Sequence, residues 1–299
     1  MDAKRLAPAK INLFLHVGPL GADGFHPLCS LVTFADVGDV IHVQGHREMA
    51  FVVEGLFADG LAGEGANLVT RARDLVLASL PAAPRPFRIV LDKRLPIAAG
   101  LGGGSSDAAA TLRLLDECFN WSWLEGGDSQ AAIAALAGQL GSDTPMCLNA
   151  MPAVAEGRGE ILSYPPVMFP DLDAVLVNPL QPSPTGAVYR AYDDAGAPGG
   201  ADAPQWPEEI ESPQALAEFL ARCRNDLEAP AVSLQPAIGE VLAALRARPE
   251  TLFARMSGSG ATCFAICADR RARDDVALAL GDTHRDWWVQ PCTLAGFRP

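Results

Sequence analysis

The 299-residue chain is 49% hydrophobic and 20% charged, a globular balance, and it is long enough for two domains that each bury a core. A formal net charge of −13 argues against a nucleic-acid partner held by phosphate neutralisation, but a small anion in a locally basic pocket remains compatible. The apolar stretch 11–17 is short and broken by Asn12 and His16, so it reads as neither a signal peptide nor a membrane span.

Alternation over Lys10–Val17 predicts a half-buried strand, with Ile11, Leu13, Leu15 and Val17 on one face and Lys10, Asn12, Phe14 and His16 on the other. Strands are also expected at 37–43 and 87–91. A helix is expected over 67–80, with Leu68, Ala72, Leu75 and Ser79 at helical spacing. The period of Ala108, Leu112, Leu115 and Phe119 predicts a helix from Ser105 to Phe119. Another helix is expected over 129–140, with Ile133, Leu136 and Leu140 inward and Gly141 as its stop.

Near residue 160 the character changes. An apolar strand is expected at 172–177, followed by a Pro-rich turn region at 178–186. The acidic, Pro/Gly/Ala-rich segment 193–213 reads as a mobile surface insertion. Helices are expected at 213–223 and 234–246, and a strand at 263–268. Trp287 and Trp288 read as packing residues. Strands mixed with helices and no repeat indicate an α+β chain. The seven cysteines are scattered and form no CxxC pair, which fits core filling and a reducing, cytoplasmic setting.

The densest signal is Leu95-Pro96-Ile97-Ala98-Ala99-Gly100-Leu101-Gly102-Gly103-Gly104-Ser105-Ser106-Asp107. Glycines that lead into a helix let backbone N–H groups and the helix dipole meet a phosphate. The run lacks the Gly-Lys-Ser/Thr ending of a Walker loop and fits the dinucleotide fingerprint poorly. Three further segments accompany it: Pro8-Ala9-Lys10-Ile11-Asn12-Leu13, Gly141-Ser142-Asp143-Thr144-Pro145 and Ser257-Gly258-Ser259-Gly260-Ala261. Taken singly, each residue has a bland explanation. Asp143 would cap the short helix that Pro145 begins, Lys10 would be a strand-edge cation, Asn67 a helix cap and Lys93 a solvated charge.

Together these segments resemble the GHMP kinase superfamily. Asp23-Gly24-Phe25-His26, Asn67–Ala72, Lys93–Pro96, Gly157-Arg158-Gly159-Glu160 and Asn225-Asp226-Leu227-Glu228 extend the match in family order from residue 8 to 261. Within the superfamily the set is similar to members that phosphorylate a cytidine diphosphate-linked methylerythritol in isoprenoid-precursor synthesis. The resemblance implies a ribosomal-protein-S5-like N-terminal domain, 1–158, on the ATP side and a ferredoxin-like C-terminal domain, 159–299, on the substrate side. ATP and substrate would meet in the cleft between them.

Lys10 and Asp143 match the family's catalytic lysine and aspartate. Pro96, Gly100, Leu101, Gly102, Gly103, Gly104, Ser105 and Ser106 match its phosphate loop, and Asn67 and Lys93 match positions near the adenine. Phe25 and His26 match its cytidine-recognising pair, and Asn12 and Thr185 fall on the substrate side. Phe25 stands where many relatives carry Tyr, which keeps the stacking face and loses a hydroxyl. Ala150 stands where relatives often have Gly. No acidic cluster has metal-ligand spacing, so Mg²⁺ is expected to arrive with ATP, carried mainly by phosphates and water. Two other readings belong to the same resemblance: a kinase of mevalonate-type, homoserine or sugar hydroxyls, and a non-catalytic member that only binds.

Overall fold

A computed structural model describes residues 2–61, 67–80, 83–119, 129–197 and 199–297. The chain divides into two compact units that interleave along the sequence. The first comprises Met1–Ala9, Val37–Ile97 and Gly102–Ala150; the second comprises Lys10–Asp36, Ala98–Leu101 and Met151–Pro299. Strands β1 (Asp2–Val17) and β2 (Leu28–Gly45) contribute to both units.

In the first unit, β3 (Ala50–Glu54) runs parallel to β4 (Phe87–Asp92), and β4 pairs antiparallel with the C-terminal half of β2, from Val40↔Asp92 to Gly45↔Phe87. Helices α1 (Leu68–Ser79), α2 (Gly103–Phe119), α3 (Ser129–Gly138) and α4 (Thr144–Asn149) complete this unit. Its core packs Ile41, Ile89 and Leu91 of the sheet against Val69, Ala72 and Val76 of α1, with Leu112 and Leu115 of α2. Asn67 starts α1 by accepting the Val69 N–H at 2.8 Å, which satisfies one donor of the first turn.

In the second unit, β5 (Ala153–Gly157) pairs with β2 over Leu28–Val32 and with β6 (Ile161–Ser163). A run of antiparallel pairs joins β10 (Trp288–Leu294) to β7 (Leu172–Asn178), β7 to β9 (Cys263–Cys267), and β9 to β8 (Thr251–Met256). Among the described residues, helices α5 (Thr185–Asp194), α6 (Pro213–Ala221), α7 (Glu228–Leu234), α8 (Pro236–Arg246) and α9 (Arg270–Thr283) belong here. Ser212 and Asp269 cap α6 and α9 with side-chain oxygens, at 3.1 and 2.9 Å. Cys263 and Cys267 lie in this unit's apolar core with Val175, Val241 and Leu245, as core filling requires. Burial pushes the Cys267 thiol up to about 12, so it stays protonated and inert.

Several expectations change. The strand at 10–17 is buried on both faces, because its polar side has internal partners: Asn12 Nδ2 donates to Ser30 Oγ at 2.8 Å, and His16 lies between the Asp202 carbonyl and the Arg224 N–H. The buried stripe of α1 is Val69, Ala72 and Val76, one position on from Leu68 and Leu75, and Ser79 is exposed. Segment 193–213 is not a loose insertion. Its first two residues finish α5, Ile210 is buried, and Trp206 stacks on Phe219 at 4.8 Å between centroids. Residue 198 lies outside the described residues. The turn region assigned to 178–186 already carries the first turn of α5, and α7, β8 and β10 were not anticipated at all.

Ala150 ends α4 with φ 48° and ψ 39°, the left-handed geometry that disfavours a Cβ by about 1–2 kcal/mol. Ala150→Gly should therefore raise stability by about 1 kcal/mol in a urea titration; a lower midpoint would show that the cap is not left-handed.

Candidate active site

The second unit gathers three of the motif segments. The Lys10 backbone N–H donates to the Leu101 carbonyl at 2.8 Å, joining β1 to the glycine loop. Two residues on, the Asn12 N–H donates to Ser257 Oγ at 3.1 Å, and that hydroxyl donates to the Gly100 carbonyl at 3.0 Å. The Thr262 N–H donates to Ala99 O at 3.1 Å, a further link between the C-terminal glycine loop and the loop at 98–101.

These contacts explain Gly100. Its φ is +74°, and a Cβ there would lie 2.4 Å from Ser257 O and 3.0 Å from the Gly260 backbone. The glycine is required by the chain's own loop at 257–260, a close approach the sequence argument had assigned to an anion. Asn225 holds that loop from below, donating through Nδ2 to Met256 O and Gly258 O, both at 2.8 Å. Glu228 accepts the Met256 N–H at 2.9 Å. Thr185 Oγ1 and Ser259 Oγ share a hydrogen bond of 2.8 Å, so Thr185 sits against the same loop.

Phe25 and His26 lie in the second unit as well. The Phe25 ring is 52% exposed, open enough for a planar partner. His26 Nδ1 is 2.9 Å from the Gly18 carbonyl; a carbonyl only accepts, so Nδ1 carries the proton. Its Nε2 lies 3.4 Å from Asp193 Oδ2, and its ring is 5.0 Å from that of Tyr189.

The first unit holds the remaining residues. The chain crosses into it at Gly102, whose φ is +62° and whose carbonyl accepts the Ser106 N–H at 2.9 Å. Helix α2 starts at Gly103, and the first-turn N–H groups of a helix lack intrahelical acceptors. Ser106 is fully buried and its hydroxyl donates to Pro8 O at 2.8 Å, whereas Ser105 is half-buried. Pro96 is buried, as is Leu101 just before the crossing, in the second unit. Asn67 spends its carboxamide oxygen as the cap of α1. Asp143 occupies the cap position of α4, yet its side chain makes no capping bond, so that bland role does not account for it.

Lys93 is buried in an ion cluster that the sequence did not reveal. Its ammonium contacts Asp39 Oδ2, and Asp107 Oδ2 at 3.2 Å, while Asp39 Oδ1 accepts the Arg94 and Leu95 N–H groups at 2.6 and 2.8 Å. A Cβ on Gly103 would come within 3.1 Å of Lys93 Nζ, so the cluster underlies the start of α2. Desolvation lifts the Asp107 carboxyl to about 8, aided by Asp39 and opposed by Lys93.

Two family profiles match the chain. The GHMP kinase N-terminal domain covers residues 67–154, and the GHMP kinase C-terminal domain covers 208–286. The 4-diphosphocytidyl-2-C-methyl-D-erythritol kinase of Caulobacter vibrioides (strain NA1000 / CB15N) is 51% identical over 296 residues, spanning 99% of this chain and 100% of that one. The chain belongs to the GHMP kinase family. Membership brings ATP as the phosphate donor. Among solved structures, a 4-(cytidine 5'-diphospho)-2C-methyl-D-erythritol kinase superposes with a TM-score of 0.76 at 33% identity, covering 99% of this chain and 100% of that chain. A homoserine kinase from Cytophaga hutchinsonii ATCC 33406 shares the fold alone, with a TM-score of 0.63 at 17% identity over 99% of this chain and 97% of its own.

Against that family background, sequence reasoning missed Ser257, Asn225 and Glu228 as individuals, although the motifs containing them were visible. It missed Asp39 altogether, and it gave no role to Asp107, the last residue of the glycine run. Among the described residues no three His, Cys, Asp or Glu side chains cluster as a metal site, and no helix is long and apolar enough to cross a membrane.

The Asp107 shift has a measurable sign. An aspartate in the unfolded chain titrates near its ordinary value of 3.8, so between that pH and about 8 the folded chain holds a proton the unfolded chain has lost. The group's contribution to stability is complete below this window and declines as pH rises through it. Thermal melts from about pH 5 to about pH 8 should show a smaller fall in Tm for Asp107→Asn than for the parent; parallel curves would contradict the assignment.

Proposed function

We propose that this chain transfers the γ-phosphate of ATP to the 2-hydroxyl of 4-diphosphocytidyl-2-C-methyl-D-erythritol. The observation that carries the reading is the linkage of three motif segments: the Lys10 N–H bonds to Leu101 O in the 98–101 loop, and the Ser257 hydroxyl joins that loop at Gly100 O to the Asn12 N–H. Full-length similarity to kinases named for that substrate supports it. So does the half-exposed ring of Phe25 beside His26, a surface suited to a nucleobase and without purpose for mevalonate, homoserine or a sugar.

In this reading the N–H groups opening α2, from Gly103 to Ser105, hold the phosphates of ATP together with the half-buried Ser105 hydroxyl. The buried Ser106 acts through its bond to Pro8, fixing the strand that carries Lys10. Lys93 acts through its carboxylates beneath Gly103 and Asn67 through the start of α1, so both shape the nucleotide side from behind. Asn12, His26 and Thr185 orient the acceptor.

The substrate oxygen forms its bond to the γ-phosphorus as the bridging bond to the β-phosphate breaks, and ADP leaves. Asp143 accepts the hydroxyl proton. The Lys10 ammonium favours the developing alkoxide. Most of the acceleration comes from positioning and charge stabilisation, as phosphoryl transfer requires. Mg²⁺ would come with ATP, carried mainly by phosphate oxygens and water, and would neutralise the charge of the transferring phosphate.

A coupled ADP-release assay should show turnover with the cytidylylated methylerythritol and little with its uncytidylylated form, mevalonate or homoserine; preference for an acceptor without cytidine would overturn the reading. Asp143→Ala should lower kcat by about 10²–10⁴-fold while ATP still binds. Undiminished turnover would remove it as the base.

A further inference from the structure

The segment Gly157-Arg158-Gly159-Glu160 was visible as a motif, but nothing above gives it work. It forms the turn between β5 and β6, with Gly157 at φ +69° and Gly159 at φ +103°. Glu160 Oε2 accepts the Arg158 N–H at 2.5 Å, and the Gly159 N–H donates to Glu156 O at 3.0 Å, which makes the turn tight. The pairing Leu28↔Gly157 sets this turn beside the segment entering β2, where Phe25 and His26 lie. Arg158 then lies with its guanidinium carbon 4.2 Å from the centroid of the Phe25 ring.

Asp23 closes the arrangement. One carboxylate oxygen accepts the Phe25 N–H at 3.1 Å, and the other accepts Arg158 Nη2 at 2.6 Å. A single carboxylate therefore fixes both the backbone of the aromatic residue and the cation over its face. Arg158 and Asp23 are each 49% exposed, and an isolated pair at such exposure adds little to folding. Its consequence is orientation. A guanidinium is a plane that stacks on an aromatic ring, and with one face covered the ring offers the other to a second plane.

We propose that Arg158 is a positioning residue for nucleobase recognition, holding the Phe25 ring so that its uncovered face receives the cytosine of the substrate. The inference rests on Phe25 being the base-stacking ring, as read above. Arg158 touches the ring and leaves the reacting atoms to other groups, so its loss acts on acceptor binding alone.

The test is steady-state kinetics on the full chain with Arg158→Ala, Phe25→Ala and the double variant. Arg158→Ala should raise KM for the cytidylylated acceptor by roughly two- to fivefold, with kcat and the KM for ATP unchanged. Arg158→Lys, which keeps the charge and loses the plane, should fall between Ala and the parent. In the Phe25→Ala background Arg158→Ala should add nothing, because the residue acts through the ring. If Phe25→Ala raises KM and Arg158→Ala does not, the role given to Arg158 is overturned while the stacking role of Phe25 stands. If Phe25→Ala leaves KM unchanged, the stacking role fails and the proposal falls with it. An equal effect of Arg158→Ala in both backgrounds would mean direct contact with substrate and would also overturn it. Parallel changes in kcat, both KM values and Tm would mark a merely structural role.

Discussion

One buried hydroxyl organises the motif loops of the second unit. Ser257 is fully buried; it donates to Gly100 O and accepts from the N–H of Asn12, residues 157 and 245 positions away in the chain. A hydroxyl is both donor and acceptor, so one side chain can satisfy two backbone groups from two segments at once. Buried backbone groups without partners are costly, so the arrangement is nearly obligatory once the loops approach. It forces glycine at position 100 and sets where β1 presents Lys10 and Asn12.

Around this point the chain supports its loops with charge buried among backbone acceptors and donors. Arg255 reaches the carbonyls of Leu13, Leu220 and Cys223 with its guanidinium, tying β1 and the end of α6 to β8. Asp226 accepts the Val17 N–H, and Glu228 the Met256 N–H, each at under 3 Å. In the first unit the Lys93–Asp39 pair does the same beneath the opening of α2. Such buried charges add little net stability over apolar packing, yet removing one partner leaves an uncompensated charge, so they fix geometry sharply. Phosphoryl transfer depends on geometry of that kind.

Much of this was legible in the sequence, and the limits have physical causes. The glycine run was readable because only glycine tolerates positive φ and backbone contact at such close range, and α2 because its apolar period is regular. The reason assigned to Gly100 was incomplete, since sequence shows that a Cβ is unwelcome without showing what would meet it. Strand β10 escaped notice because Pro291 and Gln290 interrupt its apolar pattern, and α7 because Pro230 falls within seven residues. Segment 193–213 was misread from composition: two large apolar residues, Trp206 and Ile210, suffice to anchor a polar stretch. The carboxylates around Lys93 lie 54 and 14 positions from it, and no spacing rule joins them.

The Ser257 hydroxyl joins the Lys10 strand, the 98–101 loop and the C-terminal glycine loop into one surface. The most direct measurement is the kinetics of Ser257→Ala beside its circular dichroism spectrum and thermal melt. A folded protein with kcat reduced at least about tenfold and a raised KM for ATP is expected, the loss of two hydrogen bonds at about 1 kcal/mol each being felt mainly as misplacement of the reacting groups. A folded variant with unchanged kcat and KM would contradict it.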